Sequence, residues 1–179
     1  MVPNLLTVLR VAVVPVFAVV LVVGADRLGL RLLAAGLFAA AAATDKVDGW
    51  LARRWDQVSD LGKILDPIAD KLLIGAALVI LSALGELWWW VTVVILVREV
   101  GITVLRFFLL RYVVLPASRG GKLKTVLQSV AIGLFLLPLS HLPLAVTWAA
   151  WVTMGAALVV TVVTGVDYVR TAVRIRAAA

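Results

Sequence analysis

Between Thr125 and Val166 the chain carries a single ionisable side chain, His141. That run is about twice the ~20 apolar residues an α-helix needs to cross the hydrocarbon of a bilayer. Pro138, Ser140, His141 and Pro143 sit near its middle, so it reads as two helices joined by a short turn. Shorter uncharged runs precede it. Val11–Ala25 is extended backwards by Leu5–Leu9 across Arg10; Leu32–Thr44, Leu72–Gly85 and Leu87–Val97 follow, the last continuing past Arg98 and Glu99 to Leu110. The reading is six spans. Several runs fall short of ~20 residues, so their ends must carry charge into the interface or into protein. Composition agrees: 64% of the 179 residues are hydrophobic and 15% charged, against roughly 25% charged in soluble domains. The expectation is an all-α fold: a polytopic membrane protein, one domain over residues 1–179, with six transmembrane helices and a short N-terminal cytoplasmic segment. A cleaved signal peptide fits poorly, because Arg10 is the first charge and five more spans follow.

Charge then sets orientation. Lys and Arg number 17 against 10 Asp and Glu, a net +7. If the N-terminus is inside, the inner connections and C-terminus hold Arg53, Arg54, Lys63, Arg111, Arg119, Lys122, Lys124, Arg170, Arg174 and Arg176, and the outer ones only Arg27 and Arg31. This is the positive-inside pattern, so the excess reads as contact with anionic lipid and not with nucleic acid. The chain has no cysteine, which excludes disulfides, thiolate metal sites and a Cys nucleophile.

Six of the ten acids fall between Asp45 and Asp70. Asp45 and Asp48 are spaced i, i+3 and share a helix face; Gly49 and Ala52 lie on the same side and leave room for a bulky group. Gly62, Asp66 and Asp70 form a second stripe at i, i+4, i+8. The first pair ends the second span and the second pair begins the third, so two antiparallel helices would gather four carboxylates at the cytoplasmic boundary. Such a cluster must be protonated or neutralised by cations. Oxygen ligands without His or Cys select hard ions, Mg²⁺, Mn²⁺ or Ca²⁺, and four carboxylates can hold two ions about 3.5–4 Å apart, an arrangement suited to phosphoryl chemistry. Arg53, one turn from Gly49, could hold a phosphate of the same ligand. The plainer reading, caps and ion pairs with Lys46, Arg53, Lys63 and Lys71, suits any one aspartate better than all four. Asp56 and Asp60 lie off both stripes and read as solvated or capping.

These residues resemble the CDP-alcohol phosphotransferase family, whose motif D-x2-D-G-x2-A-R-x8-G-x3-D-x3-D is filled by Asp45, Asp48, Gly49, Ala52, Arg53, Gly62, Asp66 and Asp70. The resemblance implies a dinuclear Mg²⁺ or Mn²⁺ site on Asp45, Asp48, Asp66 and Asp70, with Asp70 as general base. It also implies that Gly49 and Arg53 contact a CDP diphosphate and that Ser59 touches the nucleotide. The opening Pro3-Asn4-Leu5-Leu6-Thr7 with Arg10 looks like the phosphatidylglycerophosphate synthase branch, which implies that Asn4 and Thr7 help hold the cytidine; Asn4 also suits a helix N-cap. Arg98-Glu99, Arg106, Ser118–Thr125 and Gly165-Val-Asp167-Tyr168 look like that branch too.

Read from the residues, Glu99, Thr103 and Arg106 form one stripe inside a span, where ionisable groups face a cavity or each other. Arg119, Lys122 and Lys124 begin the fifth helix and could bind the phosphate of a second, anionic substrate; contact with anionic lipid is the competing role. Arg170, Arg174 and Arg176 read as lipid contacts. Trp88-Trp89-Trp90 reads as an interfacial belt, His141 as an outer-turn surface residue, and Met154 as packing.

The resemblance implies transfer of the phosphatidyl group of CDP-diacylglycerol to sn-glycerol 3-phosphate at the cytoplasmic face of the cell membrane, by a homodimer. Phosphatidylglycerol and inositol phosphate remain as alternative acceptors. A divalent-cation transporter is the reading from another class, but it predicts acids spread through the bilayer depth.

Overall fold

The structure is a computed structural model that describes the backbone of residues 2–54, 60–109 and 119–178, and the side chains within 11–44, 68–105 and 123–174, with Gly121. The described residues form six α-helices and no strand: α1 (Val2–Val23), α2 (Leu28–Arg54), α3 (Asp60–Ala83), α4 (Trp89–Leu109), α5 (Arg119–Leu136) and α6 (Leu144–Ala178), with a single 3-10 turn at Leu139–His141. Consecutive helices run in opposite directions, and α1–α2, α2–α3, α3–α4 and α5–α6 pack against one another, whereas α4 and α5 both pack on α3 and α6. One end of the bundle therefore gathers the α1–α2, α3–α4 and α5–α6 connections, and the other gathers the ends of α2 and α4 and the starts of α3 and α5. The all-helical expectation holds, and so does the turn between the fifth and sixth helices. The N-terminal segment is helical, and Val2–Arg10 are the opening turns of α1. Pro3 falls in the first turn, where a missing N–H has no cost. This start leaves Asn4 within the helix, not at its N-cap.

Local chemistry explains the ends. α3 stops at a glycine cap: Gly85 has φ 77°, its N–H reaches Ser82 O at 3.1 Å and the Glu86 N–H reaches Leu81 O at 3.0 Å. This pair of bonds satisfies two terminal carbonyls and needs a left-handed residue that glycine adopts without strain. α6 runs past Val166, where the apolar pattern ends, because no Gly or Pro follows Gly165. Its 35 residues span about 52 Å at ~1.5 Å per residue, well beyond a ~30 Å hydrocarbon layer.

The helices approach closely because small residues line their contacts. Ala34, Ala77, Ala131, Ala150 and Ala157 are fully buried, which suits association driven by van der Waals packing. Larger side chains fill the remainder. Phe17 meets Phe38 across α1 and α2 at 5.9 Å between ring centroids, and Phe135 meets Trp151 edge-on at 5.0 Å, a favoured aromatic geometry. Met154 is buried in this core. The outer faces are apolar instead: Val19, Val97, Val100, Val152 and Val159 are all exposed, the inverse of a water-soluble surface. Among the described residues one helix is long and apolar enough to cross a bilayer by itself, Leu144–Arg174 with mean hydropathy 1.9; Val11–Val23, Leu28–Thr44 and Leu123–Leu136 are shorter apolar helices. Charges within α2, α3 and α4 interrupt the others.

Arg31 departs from its expected place among the outer loop charges. It lies inside α2 and is almost fully buried. Its Nε donates to Leu136 O at 3.0 Å and Nη2 to Phe135 O at 2.9 Å, and the guanidinium pairs with Glu86. The last carbonyls of α5 have no helical partner of their own, and a cation there also answers the negative end of the helix dipole.

Candidate functional site

Asp45, Asp48, Gly49, Ala52 and Arg53 occupy the last turns of α2, and Gly62, Asp66 and Asp70 the first turns of α3. The two helices pack against one another and five residues separate them, so their backbones bring both acidic stripes to the same end of the bundle. The side chains of Asn4, Thr7, Asp45, Asp48, Arg53, Asp66, Arg106, Arg119 and Lys122 lie outside the described ones, as does the whole of Ser59. Among the described residues no three His, Cys, Asp or Glu side chains gather. Asp70 is described, partly buried beside the fully buried Ala69.

Lys71, next to Asp70, turns toward α4. Its Nζ donates to Glu99 O at 3.4 Å and to the Thr103 hydroxyl, which itself donates to Glu99 O at 2.7 Å. The expected stripe of Glu99 and Thr103 thus faces other polar groups, as charge in an apolar span requires. Glu99 Oε1 accepts from Arg98 Nη1 at 3.0 Å and pairs with Lys124. Arg98 Nη2 reaches α6, donating to Thr164 Oγ1 at 3.0 Å. One turn along, Gln128 Nε2 donates to Thr161 Oγ1 at 2.9 Å. This network joins α3, α4, α5 and α6 beside the start of α3.

Arg98 and Lys124 converge on the Glu99 carboxylate, Lys71 meets the backbone carbonyl of the same residue, and Lys124 is only 5% exposed. Lys124 was anticipated as a phosphate ligand; Lys71 was anticipated only as a counter-ion for the aspartates. The signal for Lys71 was available, since it opens an apolar run at the membrane boundary, but the partner on α4 was not. A cleft of about 390 Å³ lies at the opposite end, lined by Arg31, Glu86, Phe135, His141 and Trp151 among others, and holds none of the motif residues. His141 is exposed there, beside Ser140, and Trp88 packs on Trp151 at 4.5 Å.

A bundle of apolar-faced helices carries the acidic motif across two helix ends, with a group of basic side chains next to it. The family model of the CDP-alcohol phosphatidyltransferases matches residues 1–163, and the chain belongs to that family. It is 55% identical over 172 residues to a probable phosphatidylglycerophosphate synthase of Mycobacterium tuberculosis, covering 96% of this chain and 81% of the relative. It is 36% identical over 177 residues to the CDP-diacylglycerol–glycerol-3-phosphate 3-phosphatidyltransferase of Bacillus subtilis, covering 93% and 92%. The protein of that name from Rickettsia bellii is 36% identical over 172 residues, with the same coverage. The chain is therefore a transferase of a membrane-bound, lipid-synthesising family that uses divalent metal ions. The donor chemistry fits that requirement: the motif offers four carboxylates, the chain lacks cysteine, and its one histidine is at the other end. Oxygen-only donors suit hard divalent cations.

Proposed function

We propose that this protein transfers the phosphatidyl group of CDP-diacylglycerol to sn-glycerol 3-phosphate, forming phosphatidylglycerophosphate and CMP. The observation that carries the reading is the eight-residue acidic motif across α2 and α3 with the cation-rich Glu99 cluster beside it. The named relatives support the same substrates. The chain works as one domain over residues 1–179, crosses the cell membrane six times and turns its motif end to the cytoplasm; the positive-inside charge pattern and the exposed apolar faces support this. Family resemblance supports a homodimer.

Asp45, Asp48, Asp66 and Asp70 would hold two Mg²⁺ or Mn²⁺ ions, which supply charge neutralisation for the diphosphate. Arg53 adds a bidentate phosphate donor, Gly49 leaves space for the diphosphate, and Asn4, Thr7 and Ser59 bind the nucleotide. Lys122, Lys124, Arg119 and Arg106 hold the acceptor phosphate, so that its hydroxyl meets the diacylglycerol-bearing phosphorus in line. The new P–O bond forms as the bond to CMP breaks, and the hydroxyl proton passes to Asp70. A transporter would need acids along a path through the bilayer. Glu99, the acid inside α4, is instead engaged by two cations.

The decisive experiment offers purified protein CDP-diacylglycerol and Mn²⁺ with glycerol phosphate, inositol phosphate, phosphatidylglycerol or serine, and follows CMP release. Release with glycerol phosphate is expected, and full activity in excess chelator would refute the metal site. Release with inositol phosphate or phosphatidylglycerol alone would reassign the acceptor, and no release with any acceptor would overturn the transfer reading.

A further inference from the structure

We infer that Arg98 is a positioning residue for the acceptor site, held in place by a notch that Thr164 and Gly165 form on α6. The inference rests on the reading of Lys124 as an acceptor-phosphate ligand and deepens it. Lys124 is almost fully buried, so the direction of its ammonium is set by its carboxylate partner. Glu99 Oε1 receives both Lys124 and Arg98, the latter at 3.0 Å. The two cations share one oxygen, and displacing either one rotates the carboxylate that the other depends on. Arg98 therefore decides where Lys124 points.

Arg98 is located from α6. Its Nη2 donates to Thr164 Oγ1 at 3.0 Å. The Thr164 hydroxyl spends its own proton on Val160 O at 2.6 Å, so its oxygen is free to accept. The stem of Arg98 crosses Gly165, where an added Cβ would lie 3.1 Å from Cγ and 3.5 Å from Nε. Cγ is close to the α4 backbone and the guanidinium is tied at its far end, so the stem has little freedom to give way. Arg98 Nε is buried with no hydrogen-bond partner among the described residues, which leaves Glu99 and Thr164 as the contacts that orient the group. The absence of a side chain at position 165 is thus a packing requirement of the basic cluster on two other helices.

The test measures kcat and both KM values for purified Gly165→Ala, Thr164→Val and Thr164→Ser, with Lys124→Ala as reference and thermal unfolding to verify the fold. Gly165→Ala and Thr164→Val should each raise the glycerol 3-phosphate KM about 5- to 10-fold, with the CDP-diacylglycerol KM and kcat within about twofold of the parent. Thr164→Ser keeps the accepting oxygen and should restore the parent values. If Gly165→Ala fails to fold, the Thr164 pair decides, since it adds no bulk at the notch. An unchanged acceptor KM in these variants, or a loss falling equally on both substrates, overturns the positioning role. If Lys124→Ala itself leaves the acceptor KM unchanged, the assignment of the acceptor site fails instead.

Discussion

The two ends of the bundle each bury a charged cluster, and the two clusters are built differently. At the loop end Arg31 meets one carboxylate, Glu86, and spends two further N–H groups on the closing carbonyls of α5. At the motif end Glu99 is approached by Arg98 and Lys124, and Lys71 lies against the same turn of α4. The first cluster pairs one cation with one carboxylate and closes a helix; in the second, two cations share one carboxylate oxygen. Removing one member of a balanced buried pair exposes the cost of the other. Burial of charge closes a helix at one end and ties α3, α4, α5 and α6 together at the other, where we propose that the cluster also receives the acceptor phosphate.

The contrast can be tested from its strongest consequence downward. Asp70→Asn should lower kcat by about 10³-fold or more, within the range for loss of a general base, with CDP-diacylglycerol binding retained. Equilibrium lipid binding beside CMP release checks this, and normal turnover would remove Asp70 from the base role. Arg31→Met should destabilise the protein by about 3–5 kcal/mol, as expected when one partner of a buried pair is deleted, with both KM values of the folded fraction unchanged. A denaturation series in detergent measures it; a shifted acceptor KM with unaltered stability would erase the difference between the ends. Lys124→Ala should do the opposite, raising the glycerol phosphate KM by about 10- to 100-fold, as when a charge-assisted hydrogen bond worth roughly 1.5–3 kcal/mol is lost. A larger rise in the CDP-diacylglycerol KM would assign the basic cluster to the lipid. Ser82→Ala should cost only about 1 kcal/mol, because it removes the 2.7 Å hydroxyl contact with Thr92 at the loop end; any kinetic effect would show that this end couples to the site.

Much of this is readable in the sequence. The uncharged runs marked all six helices, because each helix carries a continuous apolar stretch within it. The turn near Pro138–Pro143 followed from punctuation by proline. The acidic stripes were readable because both belong to single helices, where spacing alone sets the face. The stop at Gly85 was marked by its glycine. The reach of α6 to Ala178 was less visible, since beyond Val166 the helix no longer needs to be apolar and hydropathy ceases to report it.

What the sequence determined by itself is local: helices at these positions, an apolar exterior, and acids at the adjoining ends of α2 and α3. Only the tertiary structure decided that Arg31 closes α5, 105 residues away, that Lys71 turns toward α4, and that Glu99 serves two cations at once. The physical reason is that helix formation and hydropathy depend on neighbours within a few residues. The partner of a buried charge depends on which helices pack side by side and on their axial register, and here small residues such as Ala77, Ala131 and Gly165 permit that close approach.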